Sequence, residues 1–198
     1  GTELLIDRAA EKTALETART LGLDNTFVFE NPRRGWKISK FIPDCKNLDP
    51  KNDAQLQKAM TMARQLHESD ATVERRFSFY DEGKGYEQSL LARGPIDVTD
   101  WADMEAQATE LHKLLEAESS KPVLCHNDFF SLNFLVEENG NVSLIDWEYA
   151  GMSDYANDFG TFCVCDQLDE EEMHRALTHY FGRTPTDAEW RHNLAQVG

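Results

Sequence analysis

Three oxygen-bearing side chains in the second half of the chain have the types and the spacing that could hold a metal ion and move a proton. Asp128 precedes Asn133 by five residues, and Asp146 follows thirteen residues after that. Carboxylate and amide oxygens suit Mg²⁺, which binds few protein oxygens and keeps water and phosphate as its other ligands. A further carboxylate nearby can accept the proton of an attacking hydroxyl. The sequence therefore predicts Asn133 and Asp146 as Mg²⁺ ligands and Asp128 as a general base.

The segment between the two predicted metal ligands has the pattern of a β-hairpin. Two apolar runs, 134–136 and 142–145, flank the dipeptide 139–140, and Asn-Gly between apolar runs is a strong signal for a tight turn. A two-residue turn at this position would place Asn133 directly opposite Asp146, with Cβ atoms about 5 Å apart. The alternative is that both residues only cap turns. The combined spacing favours a metal site over that alternative.

The pattern His126-x-Asp128-x₄-Asn133, followed by Asp146, resembles the catalytic loop and metal-binding Asp of kinases. Together with the run Ile-Asp-Trp-Glu-Tyr-Ala-Gly at 145–151, it resembles the aminoglycoside-phosphotransferase and choline-kinase superfamily. Within that superfamily it is most similar to bacterial choline kinases of the lipopolysaccharide and teichoic-acid decoration type. The resemblance implies a two-lobed, kinase-like α+β fold, ATP and Mg²⁺ as cofactors, and the same roles for the three polar residues.

The resemblance extends to the start of the chain. Arg8-x-x-Glu11 on a predicted helix resembles the helix whose Glu pairs with the ATP-binding lysine of kinases, and 36–42 resembles the strand that leads to the adenine-contacting hinge. It therefore implies that Glu11, Phe41 and Ile42 serve the nucleotide site.

The same resemblance implies a division of the chain into two parts. Residues 1–42 would form a partial small lobe, a helix plus a strand hairpin, with the hinge near 41–43. Residues 44–198 would form a mainly helical large lobe that contains the catalytic hairpin and the metal site.

Departures from the kinase pattern indicate which kind of kinase to expect and which of its segments are missing. Asn127 replaces the Arg of protein kinases, and Trp147-Glu148 replaces the Phe-Gly that follows their metal-binding Asp, which favours a small-molecule kinase. No Gly-rich loop or lysine precedes the first helix, whereas Lys37 and Lys40 follow it. We therefore expect the chain to lack the ATP-binding lysine, the first strands of the small lobe and the helices that close the large lobe.

Acidic and aromatic residues alternate near the predicted metal site. Carboxylates with aromatic faces suit a quaternary ammonium, which gains cation–π energy. We expect the substrate to contact Asp128, Trp147, Glu148 and Tyr149, although each aromatic could equally pack in the core. Asp158 could belong to this group or instead hold the catalytic loop by hydrogen bonds.

The leading hypothesis from these residues is ATP-dependent phosphorylation of the choline hydroxyl. Ethanolamine, thiamine or an aminoglycoside is the alternative acceptor within the same chemistry. A pseudokinase used as a binding module is the alternative from another class, and the missing lysine supports it. The sequence does not determine an oligomeric state.

Composition excludes several other classes of function. The chain has 198 residues, 36 acidic and 20 basic, and a net charge of −16, which disfavours nucleic acid and anionic membranes as partners. The sequence contains no apolar run of about 18 residues that could span a membrane. The four cysteines match neither a zinc site nor a disulfide framework, so we expect free thiols in a cytoplasmic protein. The negative charge fits a solvated surface or a site for a cationic ligand.

Periodicity predicts the elements around these residues. The expected helices cover 3–21, 53–68, 100–118 and about 170–181, and the capping box of Thr186 and Glu189 begins a last helix. The expected strands of the first hairpin are 26–30 and 36–42. Residues 69–98 are predicted to be irregular, with one short helix near 85–92. The apolar stripe of the helix at 100–118 is predicted to face the core.

Overall fold

The computed structural model describes residues 6–118 and 120–197. Within these ranges the chain forms α-helices and two-stranded antiparallel sheets, which confirms the predicted α+β class. The helices are α1 (Arg8–Leu21), α2 (Asp53–His67), α3 (Phe79–Leu91), α4 (Trp101–Glu118), α5 (Ala156–Cys165), α6 (Glu170–Phe181) and α7 (Asp187–Leu194). The strands are β1 (Phe27–Asn31), β2 (Trp36–Ser39), β3 (Val123–Cys125), β4 (Phe134–Val136), β5 (Val142–Leu144) and β6 (Gly151–Ser153). Strand β1 pairs with β2, β3 with β6, and β4 with β5.

Helix α1 begins later than the predicted residue 3. The Asp7 carboxylate accepts hydrogen bonds from the backbone N–H groups of Ala9 and Ala10, each at 3.0 Å, so it caps a helix that starts at Arg8. Residues 3–5 of the predicted helix lie outside the described residues. The helix ends where predicted, because Gly22 adopts the left-handed conformation at φ 72°.

The hairpin of β1 and β2 forms where predicted, but β2 ends at Ser39 rather than at residue 42. After Ser39, the last backbone hydrogen bond between the two segments runs from the Lys40 N–H to the Thr26 carbonyl at 2.7 Å. The Asp24 carboxylate accepts hydrogen bonds from the Thr26 and Phe27 N–H groups. These bonds form a turn just before β1, so the segment ahead of β1 does not continue alongside β2. Residues 41 and 42 therefore have no strand to pair with.

Helix α3 is longer than the predicted 85–92. Gly83 and Gly85 lower the helix propensity of its first half, so the sequence pattern did not predict that half as helical. The Ser78 hydroxyl caps the helix by accepting from the Asp81 N–H at 3.3 Å. Its contacts with α4 are polar, including a Tyr80–Thr109 hydroxyl pair at 2.9 Å. Helix α3 therefore begins at Phe79 and packs against α4 through polar side chains.

The apolar stripe of α4 does not face the core, which corrects the prediction. Met104 is 46% exposed, and Ala108 is also exposed. Ala108, Leu111 and Leu115 line a groove whose other wall includes Val164 of α5. Periodicity identified the apolar face of α4 correctly but could not show what that face meets.

The hydrophobic core joins α1, α2, α5 and α6 to the hairpin of β4 and β5. Its centre is aromatic, since Phe129, Phe134, Trp147 and Phe162 are all fully buried. The Phe129 ring lies 5.0 Å from that of Phe134, edge to face, and 5.8 Å from that of Phe162. This cluster lies directly beneath the loop that carries Asp128.

The predicted ends of α6 and the predicted start of α7 are confirmed. Asp169 and Glu172 form a reciprocal capping box at the start of α6, and Thr186 and Glu189 do the same for α7. Gly182 ends α6 in the left-handed conformation.

The four cysteines are free thiols, as predicted. None of the helices among the described residues has the length and apolar character to cross a bilayer.

Truncation of Phe129 tests whether the aromatic cluster supports the loop. Phe129→Ala is expected to lower the free energy of unfolding by about 3–5 kcal/mol, because it removes a fully buried ring and leaves a cavity. Leu132→Ala is the matched control, since Leu132 belongs to the same loop but is 59% exposed. Chemical denaturation measures both, and an equal loss in the two variants would contradict this account.

Candidate active site

The loop 126–133, which follows β3, is held from below by one buried carboxylate. Asp158 of α5 is fully buried, and its Oδ1 and Oδ2 accept hydrogen bonds from the backbone N–H groups of Asn127 at 2.7 Å and His126 at 3.0 Å. Oδ2 also contacts Nε2 of His67 at 3.0 Å. Burial opposes ionisation, but these hydrogen bonds outweigh it and lower the pKa of Asp158. The predicted supporting role of Asp158 is confirmed.

His126 connects the loop to the residue before Asp146. Its Nε2 lies 3.0 Å from the Ile145 carbonyl, which can only accept, so Nε2 carries the proton. Its Nδ1 accepts the backbone N–H of Asp128 at 3.2 Å. Complete burial lowers the pKa of His126 and favours this neutral tautomer. One imidazole thus fixes Asp128 relative to the strand that leads to Asp146.

Asn127, at the position of the kinase Arg, is also part of this framework. It adopts φ 62°, and its amide Nδ2 donates to the Tyr149 carbonyl at 3.1 Å. Its Oδ1 accepts from the Ser153 hydroxyl of β6 at 2.6 Å. Its side chain is therefore satisfied internally, as a positioning group rather than a ligand-binding one.

The structure brings Asp128 and Asn133 together. The Asn133 amide Nδ2 donates to the Asp128 carbonyl oxygen and to its carboxylate Oδ2, each at 2.8 Å. Asp128 is only partly buried, so the remaining carboxylate oxygen is open to a ligand. Asn133 is 8% exposed, and its amide orientation leaves Oδ1 as a further acceptor.

The hairpin register differs from the prediction by one residue. Phe134 pairs with Leu144 and Val136 with Val142, which places Ile145, not Asp146, opposite Asn133. The Ile145 N–H donates to the Asn133 carbonyl at 2.9 Å. The turn is longer than two residues, because the Glu137 N–H bonds the Asn141 carbonyl and Gly140 takes a positive φ of 84°. Turn sequence alone did not specify this extra residue.

The backbone conformation of Asp146, rather than pairing with Asn133, determines its position at the site. It adopts the left-handed region at φ 68° and ψ 62°, directly after the residue that pairs with Asn133. Its carboxylate is exposed and lies near the Lys37 ammonium. Asp128, Asn133 and Asp146 thus offer only hard oxygen donors, of the kind Mg²⁺ prefers, so these residues fit that ion.

Lys37 occupies a position that the sequence did not reveal. Its Nζ lies 2.9 Å from Oε1 of Glu11 and 3.7 Å from Oδ1 of Asp146. Glu11 is fully buried and is also paired with the Arg8 guanidinium. The hairpin folds back onto α1 and thereby places a lysine beside Glu11 from a position later in the chain.

Glu30 lies opposite Lys37 in the hairpin ladder, where the two residues are register partners. It is 1% exposed, and neither of its carboxylate oxygens has a hydrogen-bond donor among the described residues. Burial, and next the charge of Glu11, raise the pKa of Glu30 to about 7, although Lys37 and Arg8 oppose the shift. No sequence motif includes Glu30. The predicted hairpin was the only signal that could have found it, because pairing across the turn at 31–35 places residue 30 opposite residue 37.

The residues predicted to contact the substrate differ in their burial. Trp147 is fully buried, and its Nε1 donates to the Leu144 carbonyl at 2.9 Å, so direct substrate contact is not available to it. This corrects the prediction; the ring packs at 4.6 Å against His126 instead. Glu148 is partly buried, and desolvation together with the charge of Asp146 raises its pKa.

Tyr149 remains at the edge of the site. A hydrogen bond with the Tyr86 hydroxyl raises its pKa, and burial and the Asp128 charge add to the shift. One face of its ring receives the Arg75 guanidinium at 5.9 Å. Arg75 also donates to the Glu148 carbonyl at 2.7 Å, so it ties this turn to α3 through Glu82.

The residues predicted for the adenine site lie in the segment after β2. Phe41 is 89% exposed. Ile42 is partly buried, and its carbonyl accepts from the Cys45 thiol at 3.4 Å. Their contact with a nucleotide stays a prediction.

The model of the phosphotransferase enzyme family matches residues 37–192, most of the chain. The chain belongs to the phosphotransferase enzyme family. The match includes every residue of loop 126–133 and the turn that carries Asp146.

Relatives of this chain include Protein LicA of Haemophilus influenzae, which is 23% identical over 91% of this chain and 68% of its own length. A solved structure of LicA in complex with AMP is 27% identical with a TM-score of 0.82, over 96% of this chain and 64% of the other. The choline kinase LicA from Streptococcus pneumoniae is 27% identical with a TM-score of 0.81, over 96% and 66%. The predicted kinase-like fold is confirmed. The chain spans about two thirds of these relatives.

Replacement of Asp158 tests the framework of the candidate site. Asp158→Asn keeps the shape but turns a donor toward the backbone N–H groups of loop 126–133, so we expect a loss of about 3 kcal/mol in the free energy of unfolding. Asp187→Asn, an exposed aspartate of α7, should change it by less than about 0.5 kcal/mol. Urea denaturation measures both, and a nearly neutral Asp158→Asn would contradict the role given to this carboxylate.

Glu30→Gln is expected to raise the melting temperature, with a gain that grows from pH 5 to pH 8. The pKa of Glu30 is about 7 in the folded protein and about 4.3 in unfolded chains. The folded state therefore binds more protons between these values, and stability falls as the pH rises through about 7. Glutamine removes this loss.

Thermal unfolding at a series of pH values measures the effect of Glu30→Gln. Exposed Glu138→Gln is the control and should give a small shift at every pH. Parallel pH profiles of the wild type and Glu30→Gln would show that Glu30 has an ordinary pKa.

Proposed function

We propose that this chain carries the catalytic centre of an ATP-dependent kinase that phosphorylates the hydroxyl of choline. The observation that supports it best is the joint fixation of Asp128 and Asn133 in loop 126–133, with Asp146 directly after the residue that pairs with Asn133. Family membership, and likeness to a LicA structure with AMP and to a choline kinase LicA, agree with this chemistry.

Bound ATP and Mg²⁺ would supply an activated phosphoryl group whose charge the metal neutralises. Asn133 and Asp146 would hold the metal through their oxygens. Asp128 would accept the proton as the acceptor hydroxyl forms its bond to the γ-phosphorus and the bond to ADP breaks. The Asn133 amide keeps the Asp128 carboxylate oriented for this step.

Glu148 and Tyr149 are the residues that favour a cationic acceptor. A partly buried carboxylate and an aromatic ring beside Asp128 suit a quaternary ammonium. Ethanolamine is the first alternative, because its ammonium could donate hydrogen bonds to Glu148 directly. Thiamine and an aminoglycoside remain acceptors of the same chemistry. We place the reaction in the cytoplasm, where ATP and reduced thiols occur together.

A pseudokinase used as a binding module is the alternative from another class. A thermal shift with ATP that depends on Mg²⁺ separates the two alternatives, since a scaffold without nucleotide binding should show none.

Asp128→Asn is expected to lower kcat by about 10²–10⁴-fold, the usual contribution of a general base, while ATP binding is retained. Glu138→Gln is the matched control, because Glu138 is an exposed acid of the same hairpin. A coupled ATP-consumption assay on the full-length protein with choline, ethanolamine, thiamine and an aminoglycoside measures both.

Normal turnover by Asp128→Asn would remove the role given to Asp128. Turnover of the aminoglycoside without turnover of choline would overturn the proposed substrate and leave the reaction class in place.

A further inference from the structure

Three side chains from three different helices form a hydrogen-bonded series beneath loop 126–133. The Tyr180 hydroxyl of α6 lies 2.8 Å from Nδ1 of His67, the last residue of α2. Nε2 of His67 lies 3.0 Å from Oδ2 of Asp158 in α5, and the same oxygen accepts the His126 N–H at 3.0 Å. The series therefore connects α6 and α2 to the first residue of the loop.

The donors and acceptors in this series follow from the chemistry of its groups. An ionised carboxylate can only accept, so Nε2 of His67 carries a proton and donates it to Asp158. In a neutral imidazole the other nitrogen is then an acceptor, and the Tyr180 hydroxyl is the donor that satisfies it. Burial raises the pKa of Tyr180, so its hydroxyl keeps the proton for this hydrogen bond.

Tyr180 is itself held in place by its neighbours. Its ring stacks on the Tyr155 ring at 5.6 Å, with an angle of 10° between the two planes. Its backbone carbonyl accepts from the Arg64 guanidinium of α2 at 3.4 Å, which joins the end of α6 to α2. Because both the ring and the backbone are held, the hydroxyl has a defined position beside His67.

Packing alone does not account for these polar groups. His67 is only 7% exposed, and an apolar side chain could fill its space without polar atoms to satisfy. Without the imidazole, however, Oδ2 of Asp158 would keep one backbone donor, and a buried charge is costly unless its hydrogen bonds are made. A neutral imidazole can carry its proton on either nitrogen, and the hydrogen bond made by one nitrogen decides the other. The Tyr180 hydroxyl thus selects the tautomer that Asp158 needs.

We propose that His67 and Tyr180 are positioning residues for Asp128. Tyr180 holds His67 in the tautomer that donates to Asp158, and Asp158 holds the backbone that leads to Asp128. The inference rests on the proposed function and adds two residues that act through Asp158 rather than on a ligand. A small misplacement of a catalytic group can cost a large part of the rate, so the support of this loop bears on kcat.

Tyr180→Phe in the full-length protein tests the proposal, because it keeps the ring and removes the hydroxyl. The imidazole ¹⁵N shifts of His67 should change from those of the Nε2–H tautomer to those of a mixture of tautomers. The backbone amide signal of His126, which bonds to the oxygen that His67 shares, should move more than that of Asn127, which bonds to Oδ1. Loss of one neutral hydrogen bond should lower kcat by about 3–10-fold, while KM for ATP and choline stays close to the wild-type value.

Tyr155→Phe is the matched control. It removes the same hydroxyl from the ring stacked on Tyr180, but that hydroxyl accepts from the Asn193 amide at 3.1 Å. It should keep the imidazole signals and the kcat of the wild type. His67→Leu removes the donor to Asp158 and should lower kcat by about 10–100-fold. His67→Gln offers an amide N–H in place of Nε2 and should recover part of that loss, and melting temperatures verify that each variant is folded.

The outcomes separate this inference from the proposed function. A Tyr180→Phe variant with the imidazole shifts or the kcat of the wild type would overturn the positioning role and leave the kinase proposal intact. Equal losses of kcat in Tyr180→Phe and Tyr155→Phe would also reject it, since looser packing of the two rings would then explain both. A full-length wild-type protein that transfers no phosphate would overturn the proposed function and the positioning role together.

Discussion

The buried Asp158 carboxylate is the constraint on which the candidate site depends. It has no exposed surface, yet it stays ionised because two backbone N–H groups of loop 126–133 and the His67 ring donate to it. A buried charge is tolerated only when its hydrogen bonds are made, so the start of the loop has one position relative to α5. His126 then carries this order to the Ile145 carbonyl, next to Asp146.

The side chains that support the candidate site are buried, whereas those that could contact a ligand are exposed. Phe129 and Trp147 are fully buried on the inner side, whereas Asp128 is partly exposed and Asp146 is exposed. The polar groups that could meet a ligand are thus carried by backbone whose neighbouring side chains are packed. This arrangement places oxygen ligands accurately without burying them, as a metal ion that keeps water among its ligands would require.

Charge has two distinct uses in this molecule. Many of the acids are exposed and solvated, but Glu11 and Glu30 are buried between α1 and the first hairpin. Those two acids face the Lys37 ammonium, and Lys37 in turn faces Asp146. A net charge of −16 therefore coexists with a local arrangement that presents a cation to the candidate site.

Residue types and their spacing were enough to predict the family, the α+β class, the candidate residues Asp128, Asn133 and Asp146, and the helix ends set by local capping. These features depend on short spacings and on side chains that bond their own neighbours. Tertiary structure decided the hairpin register, the burial of Trp147, the groove along α4 and the meeting of Lys37 with Glu11. Each of these depends on which surfaces meet after the chain has folded, and spacing along the sequence carries no such information.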